Sequence, residues 1–286
     1  MTPSQRNQDS ELAALLAPDI LVMLEESPGD VAAETEELHP KDLADVAEAM
    51  PTDRVAEFLR ALPAARAADV LEYLDEELRS ELLEAMSTEQ AVALVSEMTP
   101  DDRADILEEL EEETADEILQ DLPEAERQET ERLLQYDADS AGGLMTTEFV
   151  SVSQDLISEQ ALLLVRVAAR SGRKEAMHAI YVTDDRGSVV GVMSLRELVA
   201  AAEDSKVADL AWTEVVKVPA TADRAEVARI TSEYDLVAVP VVDAFDRIIG
   251  VITVDDVIDA IVEEQTEDVQ KLGAVQPLEE PYFTAG

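Results

Sequence analysis

The chain has 286 residues, 47% of them hydrophobic, enough for two or three packed domains, so it is expected to fold and a disordered polyanion is not the default reading. Asp and Glu total 66 against 21 Lys and Arg, and the formal charge of -45 leaves no basic face for phosphate contacts, so nucleic acid is discarded as a partner. Cysteine is absent, which removes disulfides, thiolate metal sites and cysteine nucleophiles.

The opening stretch has no apolar core of signal-peptide type, and no run of about 18 apolar residues predicts a membrane span. Residues 1–37 are expected to be a segment that is partly helical or flexible. From Leu38 a twelve-residue period sets in, closing on Met50, Leu62, Leu74, Met86, Met98, Leu110, Leu122 and Leu134. Two more columns keep the step: Phe58, Val70, Leu82, Leu94, Ile106, Ile118, and beside them Leu59, Leu71, Leu83, Val95, Leu107, Leu119. Within a unit the apolar positions fall at i, i+1 and i+4, one helical face, so each unit predicts one short helix. Pro51, Pro63 and Pro123 break the chain between units, while Asp75, Ser87 and Thr99 stand where N-caps belong, and Ser87 with Gln90 has capping-box spacing. Pro100 suits a first helical turn. Helices this short are marginal alone and must stack, which predicts a helical solenoid over 38–136. The alternative is an irregular bundle.

After Tyr136 Val and Ile rise and strand-like runs appear. The run from Ile180, IYVTDDRGSVVGVMSLREL, aligns with VPVVDAFDRIIGVITVDDV from Val239 at a constant offset of 59 residues. Each half reads as strand, turn, strand and helix, preceded by a helix (about 159–169 and 225–234) and a short β segment near Val150 or Val216. The Gly-apolar-apolar-Ser/Thr-x-x-Asp/Glu signature occurs once per half, and the pair resembles a tandem CBS domain, or Bateman module. That resemblance implies a ribose-lining role for Ser194, Arg196 and Glu197 in the first half and for Thr253 and Asp256 in the second. A carboxylate can accept from both ribose hydroxyls, but Ser and Thr at these positions also cap helices, and the two roles are compatible.

Three strings at the joints narrow the reading: LHPKDLAD from Leu38, SAGGLMT from Ser140 and TEDVQKLGAV from Thr266. With the domain order, they resemble the cytosolic part of the MgtE family of magnesium channels over about 38–275. The fold class is then α plus α/β: a superhelical repeat of short helices (38–136), CBS domain 1 (137–204), CBS domain 2 (205–262), and a C-terminal connecting or plug helix with a tail (263–286). The resemblance implies a homodimer through the CBS domains on the cytoplasmic face of the membrane, with its own transmembrane pore domain absent from this chain. It implies Mg2+ as the sensed ion, with ATP or another adenine nucleotide as a second ligand, and closure of the channel when Mg2+ bridges acidic faces.

By motif position the metal ligands are Asp69, Asp101, Asp102 and Asp105 in the repeat, Asp235, Asp256 and Asp259 in the CBS pair, and Glu264, Glu267 and Asp268 on the plug. Gly143 offers a backbone carbonyl, and Glu226 stands in the second CBS helix. Spacing supports two of these clusters. Asp101 and Asp105 share a helical face at i, i+4, Asp256 and Asp259 at i, i+3, and such pairs repel until a divalent ion bridges them. Taken singly, each acid is ordinary solvated surface. His39 is expected to pack or cap at a helix start, His178 to be structural, and Trp212 to anchor the linker between CBS repeats.

No Walker A loop, G-x-S-x-G elbow, H-E-x-x-H helix or dinucleotide fingerprint is present, so the chain reads as a ligand-sensing region and not an enzyme. Two other classes remain open at this point: a free-standing CBS-type adenine-nucleotide sensor with a helical scaffold, and an accessory domain of an enzyme.

Overall fold

The computed structural model describes residues 3–170 and 179–262, with side chains from residue 13 onward. The chain divides into two compact units, Met1–Leu134 and Gln135–Gly286.

The first unit opens with α1 (Pro3–Glu26), a 3-10 turn (Pro28–Asp30) and α2 (Val31–Glu34). In α1, Ala13, Ala17, Ile20 and Leu24 form one buried stripe against the helices that follow, so the described part of this segment belongs to the core. Eight helices come next: α3 (Pro40–Glu48), α4 (Thr52–Ala61), α5 (Ala64–Glu72), α6 (Glu76–Ala85), α7 (Thr88–Val95), α8 (Pro100–Glu109), α9 (Glu112–Asp121) and α10 (Glu124–Leu133). Each starts twelve residues after the last. The apolar columns are the core, with Phe58, Val70, Ile118, Leu59, Leu71, Leu83 and Val95 almost fully buried.

The breaks use the chemistry the sequence offers. Pro51, Pro63 and Pro123 precede α4, α5 and α10, Asp75 accepts from the Glu77 backbone N–H at 3.1 Å, and Ser87 with Gln90 closes a reciprocal capping box. His39 caps α3 by accepting from the Lys41 N–H and meets Tyr73 edge to face at 5.8 Å. Thr99 departs from expectation: it stands at the N-cap of α8 but makes no side-chain cap, and its hydroxyl donates to the neighbouring Asp102 carboxylate.

The helices pack alternately, α3 on α5 on α7 on α9 and α4 on α6 on α8 on α10. The structural repeat is therefore a pair of helices, twice the sequence period. Helix ends follow the alternation as far as α8: α3, α5 and α7 close on an αR residue and α4, α6 and α8 on an extended one, while α9 and α10 reverse it. Arg79 and Arg103 occupy the fourth position of α6 and α8 and reach carbonyls at the ends of the opposite row. The Arg79 guanidinium donates to Glu72 O at 2.8 Å, and Arg103, only 4% exposed, donates to Val95 O at 3.1 Å and Met98 O at 2.9 Å. A buried cation at a helix C-terminus satisfies carbonyls that have no partner within their own helix.

The second unit holds two similar halves. The first runs β1 (Val150–Ser153), α11 (Ser158–Arg170), β2 (Ile180–Thr183), β3 (Val189–Met193) and α12 (Leu195–Ala200). After α13 (Val207–Leu210), the second runs β4 (Val218–Pro219), α14 (Arg224–Glu233), β5 (Ala238–Val242) and β6 (Ile248–Thr253), and residues 254–262 are helical. Each sheet pairs its first two strands parallel and its last two antiparallel. β4 begins two residues beyond the expected Val216. Ser188 bridges Arg247, residues equivalent at the 59-residue offset, so the halves face each other about a pseudo-two-fold axis. Tyr181, Val189, Val242 and Val251 are packed together between the sheets.

The signature glycines have a specific cause. Trp212 pairs with Val192 of β3, and Thr146 pairs with the equivalent Val251 of β6, so a linker crosses each outer strand. A Cβ on Gly191 would lie 2.7 Å from Ala211 Cβ, and one on Gly250 would lie 2.5 Å from Met145 Sδ. The linkers can lie that close only over glycine.

Candidate metal and nucleotide sites

Helix α8 carries the first acid cluster. Proline at its first position and the short Thr99 linker place Asp101 and Asp102 in its first turn. Asp101 is 6% exposed, and Asp102 Oδ2 accepts from Thr99 Oγ1 at 2.5 Å. Asp105, one turn on, keeps solvent-accessible surface, yet the atoms packed around its carboxyl remove water, and Asp101 and Asp102 add like-charge repulsion. Together they push its pKa up to about 8. Asp69 lies half-buried in α5.

In the second unit Asp256 and Asp259 lie on the helical segment 254–262. Asp256 Oδ2 accepts from the Thr253 N–H at 3.2 Å and from the Thr253 hydroxyl at 2.5 Å. Burial first, then the neighbouring Asp255, raises the Asp259 pKa. Asp235 follows the end of α14 with φ of 51°, a left-handed conformation that Asp tolerates better than most residues. Glu226 is exposed in the first turn of α14. Gly143 sits in the turn after α10, where a Cβ would meet Asp137 O at 2.5 Å. Glu264, Glu267, Asp268 and the expected plug helix lie outside the described residues, as does His178.

The structure thus gathers Asp101, Asp102 and Asp105 on one helix and Asp256 and Asp259 on another. Among the described residues no group of three or more His or acidic side chains is arranged to hold a metal ion. The donor chemistry nevertheless suits Mg2+, which takes hard oxygens and keeps several of its waters. Asp105 and Asp259 are both exposed side chains whose pKa values are raised, by desolvation first and by neighbouring acids after it.

Among the nucleotide candidates, Ser194, Glu197, Thr253 and Asp256 make capping contacts, which are compatible with a ligand role. Ser194 caps α12: its hydroxyl accepts from the Glu197 N–H at 3.2 Å, and Glu197 Oε2 accepts in return from the Ser194 N–H at 2.8 Å. Thr253 and Asp256 repeat half of this arrangement in the second half. Arg196 is exposed. Trp212 anchors the linker as expected, through its backbone pairing with Val192, but its side chain does more: its indole N–H donates to Glu197 Oε1 at 2.7 Å. The Ser194 N–H, followed by this indole, holds Glu197 below the ordinary carboxylate range. Sequence reading missed that bond and the buried Arg103 network. Only the second left a trace, Arg79, Arg103 and Arg127 recurring every 24 residues.

A solenoid of paired short helices followed by two CBS halves is the architecture of a regulatory module. Family models agree in detail: the MgtE intracellular N domain matches residues 38–139, and the CBS domain matches 141–204 and 207–263. The chain is similar to a crystal structure of the cytosolic domain of the Mg2+ channel MgtE in complex with ATP, at 34% identity and TM-score 0.80, over 86% of this chain and 99% of that one. A crystal structure of the soluble part of a magnesium transporter gives the same TM-score of 0.80 at 29% identity, over 89% of this chain and 99% of that one. The magnesium transporter MgtE of Thermus thermophilus is 43% identical over 160 residues, 56% of this chain and 35% of the transporter. The chain belongs to the MgtE family. It spans about a third of the length of the curated transporters it matches. Among the described residues, no helix is long and apolar enough to cross a membrane.

Proposed function

We propose that this chain is the Mg2+-sensing regulatory region of an MgtE-type magnesium channel, in which Mg2+ favours the closed state. One observation carries the reading: 99% of the cytosolic domain of a Mg2+ channel is matched at 34% identity, with both acid clusters on ordered helices. When bound, Mg2+ supplies a bridge between carboxylates that otherwise repel each other. Asp69, Asp101, Asp102 and Asp105 offer oxygens from the helical unit. Asp235, Asp256, Asp259 and the Gly143 carbonyl offer them from the CBS unit, with Glu226 at its edge and Glu264, Glu267 and Asp268 beyond the described residues.

Without a cation, two such faces oppose each other's approach by roughly 1 kcal/mol per pair at 4 Å in water, and by more when partly dehydrated. A cation bound only to the closed arrangement stabilises it by mass action. The partner that completes the unit is a second copy of this chain through the CBS domains. Leu163 and Val167 on α11, and Ile258 and Val262 on the segment 254–262, are exposed i, i+4 apolar pairs suited to such a contact. A pore domain outside this chain receives the signal at the cytoplasmic face of the membrane. ATP, bound by the similar cytosolic domain, is the second ligand proposed here, with Ser194, Arg196, Glu197, Thr253 and Asp256 as candidate contacts.

Limited proteolysis tests the closure. Cleavage near Ser140 should slow in millimolar Mg2+ and stay fast in chelator with monovalent salt of equal ionic strength, because screening does not bridge. Equal cleavage in both conditions removes the sensing role.

A further inference from the structure

We infer that Trp212 is a latch on the first CBS half: its indole holds the carboxylate that a ribonucleotide's vicinal hydroxyls need, so such a ligand enters there only by displacing it. The inference rests on the nucleotide reading above.

The acceptor positions on Glu197 set the limit. A carboxylate offers about four lone-pair sites. The Ser194 N–H at 2.8 Å and the Ser194 hydroxyl at 3.0 Å use Oε2, and the Trp212 indole at 2.7 Å uses Oε1. One site remains, too few for two hydroxyls. The Ser194 bonds belong to the cap of α12, whereas Trp212 is 68% exposed, so the indole is the partner that can leave. Its backbone can stay, because the pairing with Val192 fixes the linker independently of the side chain.

In the second half the equivalent linker position carries no indole. The residue equivalent to Trp212 is Thr146, which pairs with Val251 as Trp212 pairs with Val192. Thr146 is wholly buried, and its hydroxyl accepts from the Glu148 N–H at 3.3 Å. At this linker position the two halves of the pseudo-symmetric module are therefore unequal, an exposed indole in the first and a buried hydroxyl in the second.

A second observation marks the same side of the first sheet. Tyr181 stands directly across from Val192 on β2, with Trp212 across Val192 on the other side, so all three share one face over about two strand spacings, roughly 10 Å. Tyr181 is 2% exposed, and its hydroxyl has no hydrogen-bond partner among the described residues. A buried hydroxyl in that state is free to pair with a polar group of a ligand.

Trp212 is the sole tryptophan, so its fluorescence reads the latch directly. AMP at millimolar concentration should shift the Trp212 emission and increase its quenching by acrylamide, and 2′-deoxy-AMP should do neither. In calorimetry, Trp212→Phe should bind AMP about tenfold more tightly, the factor matching the lower part of the range for a hydrogen bond to a charged group. Trp212→Leu should do the same, and Glu197→Gln should lose the difference. If AMP binds the parent and both Trp212 variants equally and the emission does not move, the latch is wrong and the nucleotide reading stands. If none of the three binds AMP, the nucleotide reading fails and the latch with it.

Discussion

Asp105 in the helical unit and Glu197 in the CBS unit are held in opposite ways, although the CBS unit's Asp259 is raised as Asp105 is. Asp105 on α8 is surrounded by atoms and by Asp101 and Asp102, and its carboxyl is pushed up to about 8. Glu197 on α12 is surrounded by donors, the Ser194 N–H and the Trp212 indole, and is held below its ordinary range. The first has acidic neighbours that disfavour its charge, so under the proposed function it would gain from a cation; the second is satisfied by donors of its own fold and, under the proposed latch, must be released before it serves a ligand. In a chain of charge -45, local donors rather than acid density decide whether a carboxylate is crowded or satisfied.

The largest effect should come from the helical unit's buried cation. Arg103→Ala removes the donor to Val95 O and Met98 O, and leaving two buried carbonyls unsatisfied costs about 1–3 kcal/mol each. Urea unfolding should show a loss of that order, whereas Arg196→Ala, an exposed change in the CBS unit, should change little. Equal losses would mean that the guanidinium is not what joins the two helix rows.

The Asp105 contrast can be sharpened by pH. A carboxyl whose folded pKa lies above its unfolded value favours the protonated fold, so its contribution falls as pH rises from about 4 to about 8 and is constant beyond. In chelator, Asp105→Asn should therefore gain melting temperature over the parent at pH 9 and very little at pH 5. Glu197 has the opposite sign. Its contribution is present above the ordinary carboxylate range and is lost as pH falls through its lowered value.

A smaller effect separates shape from charge at Asp235. Its left-handed backbone suits glycine, so Asp235→Gly should leave thermal stability unchanged or raised by up to about 1 kcal/mol. The same change should reduce the shift in melting temperature caused by Mg2+. A variant that loses stability while keeping the full Mg2+ shift would make Asp235 purely structural.

These features were unevenly legible in the sequence. Helix starts were readable because Pro51, Pro63, Asp75 and Ser87 mark the breaks chemically and the apolar columns keep one step. The alternate packing of the helices was not, because both rows carry the same columns; only Arg79, Arg103 and Arg127 keep the longer period. The two CBS halves were visible through their constant offset, but the purpose of Gly191 and Gly250 required seeing the linkers cross above them. Trp212 and Glu197 meet across 15 positions through a linker, a contact that no local pattern encodes. Among 66 acids, spacing picked out Asp101 with Asp105 and Asp256 with Asp259, while Asp69, Asp235 and Gly143 came from the resemblance alone.

The most direct measurement of the central claim is small-angle scattering of the parent and of the triple variant Asp101→Asn, Asp256→Asn, Asp259→Asn, each in chelator and in millimolar Mg2+ at matched ionic strength. The parent should contract when Mg2+ is added, and the triple variant should respond much less, with a chelator state partly compacted by relief of repulsion. Superimposable parent profiles in the two conditions would contradict Mg2+-driven closure.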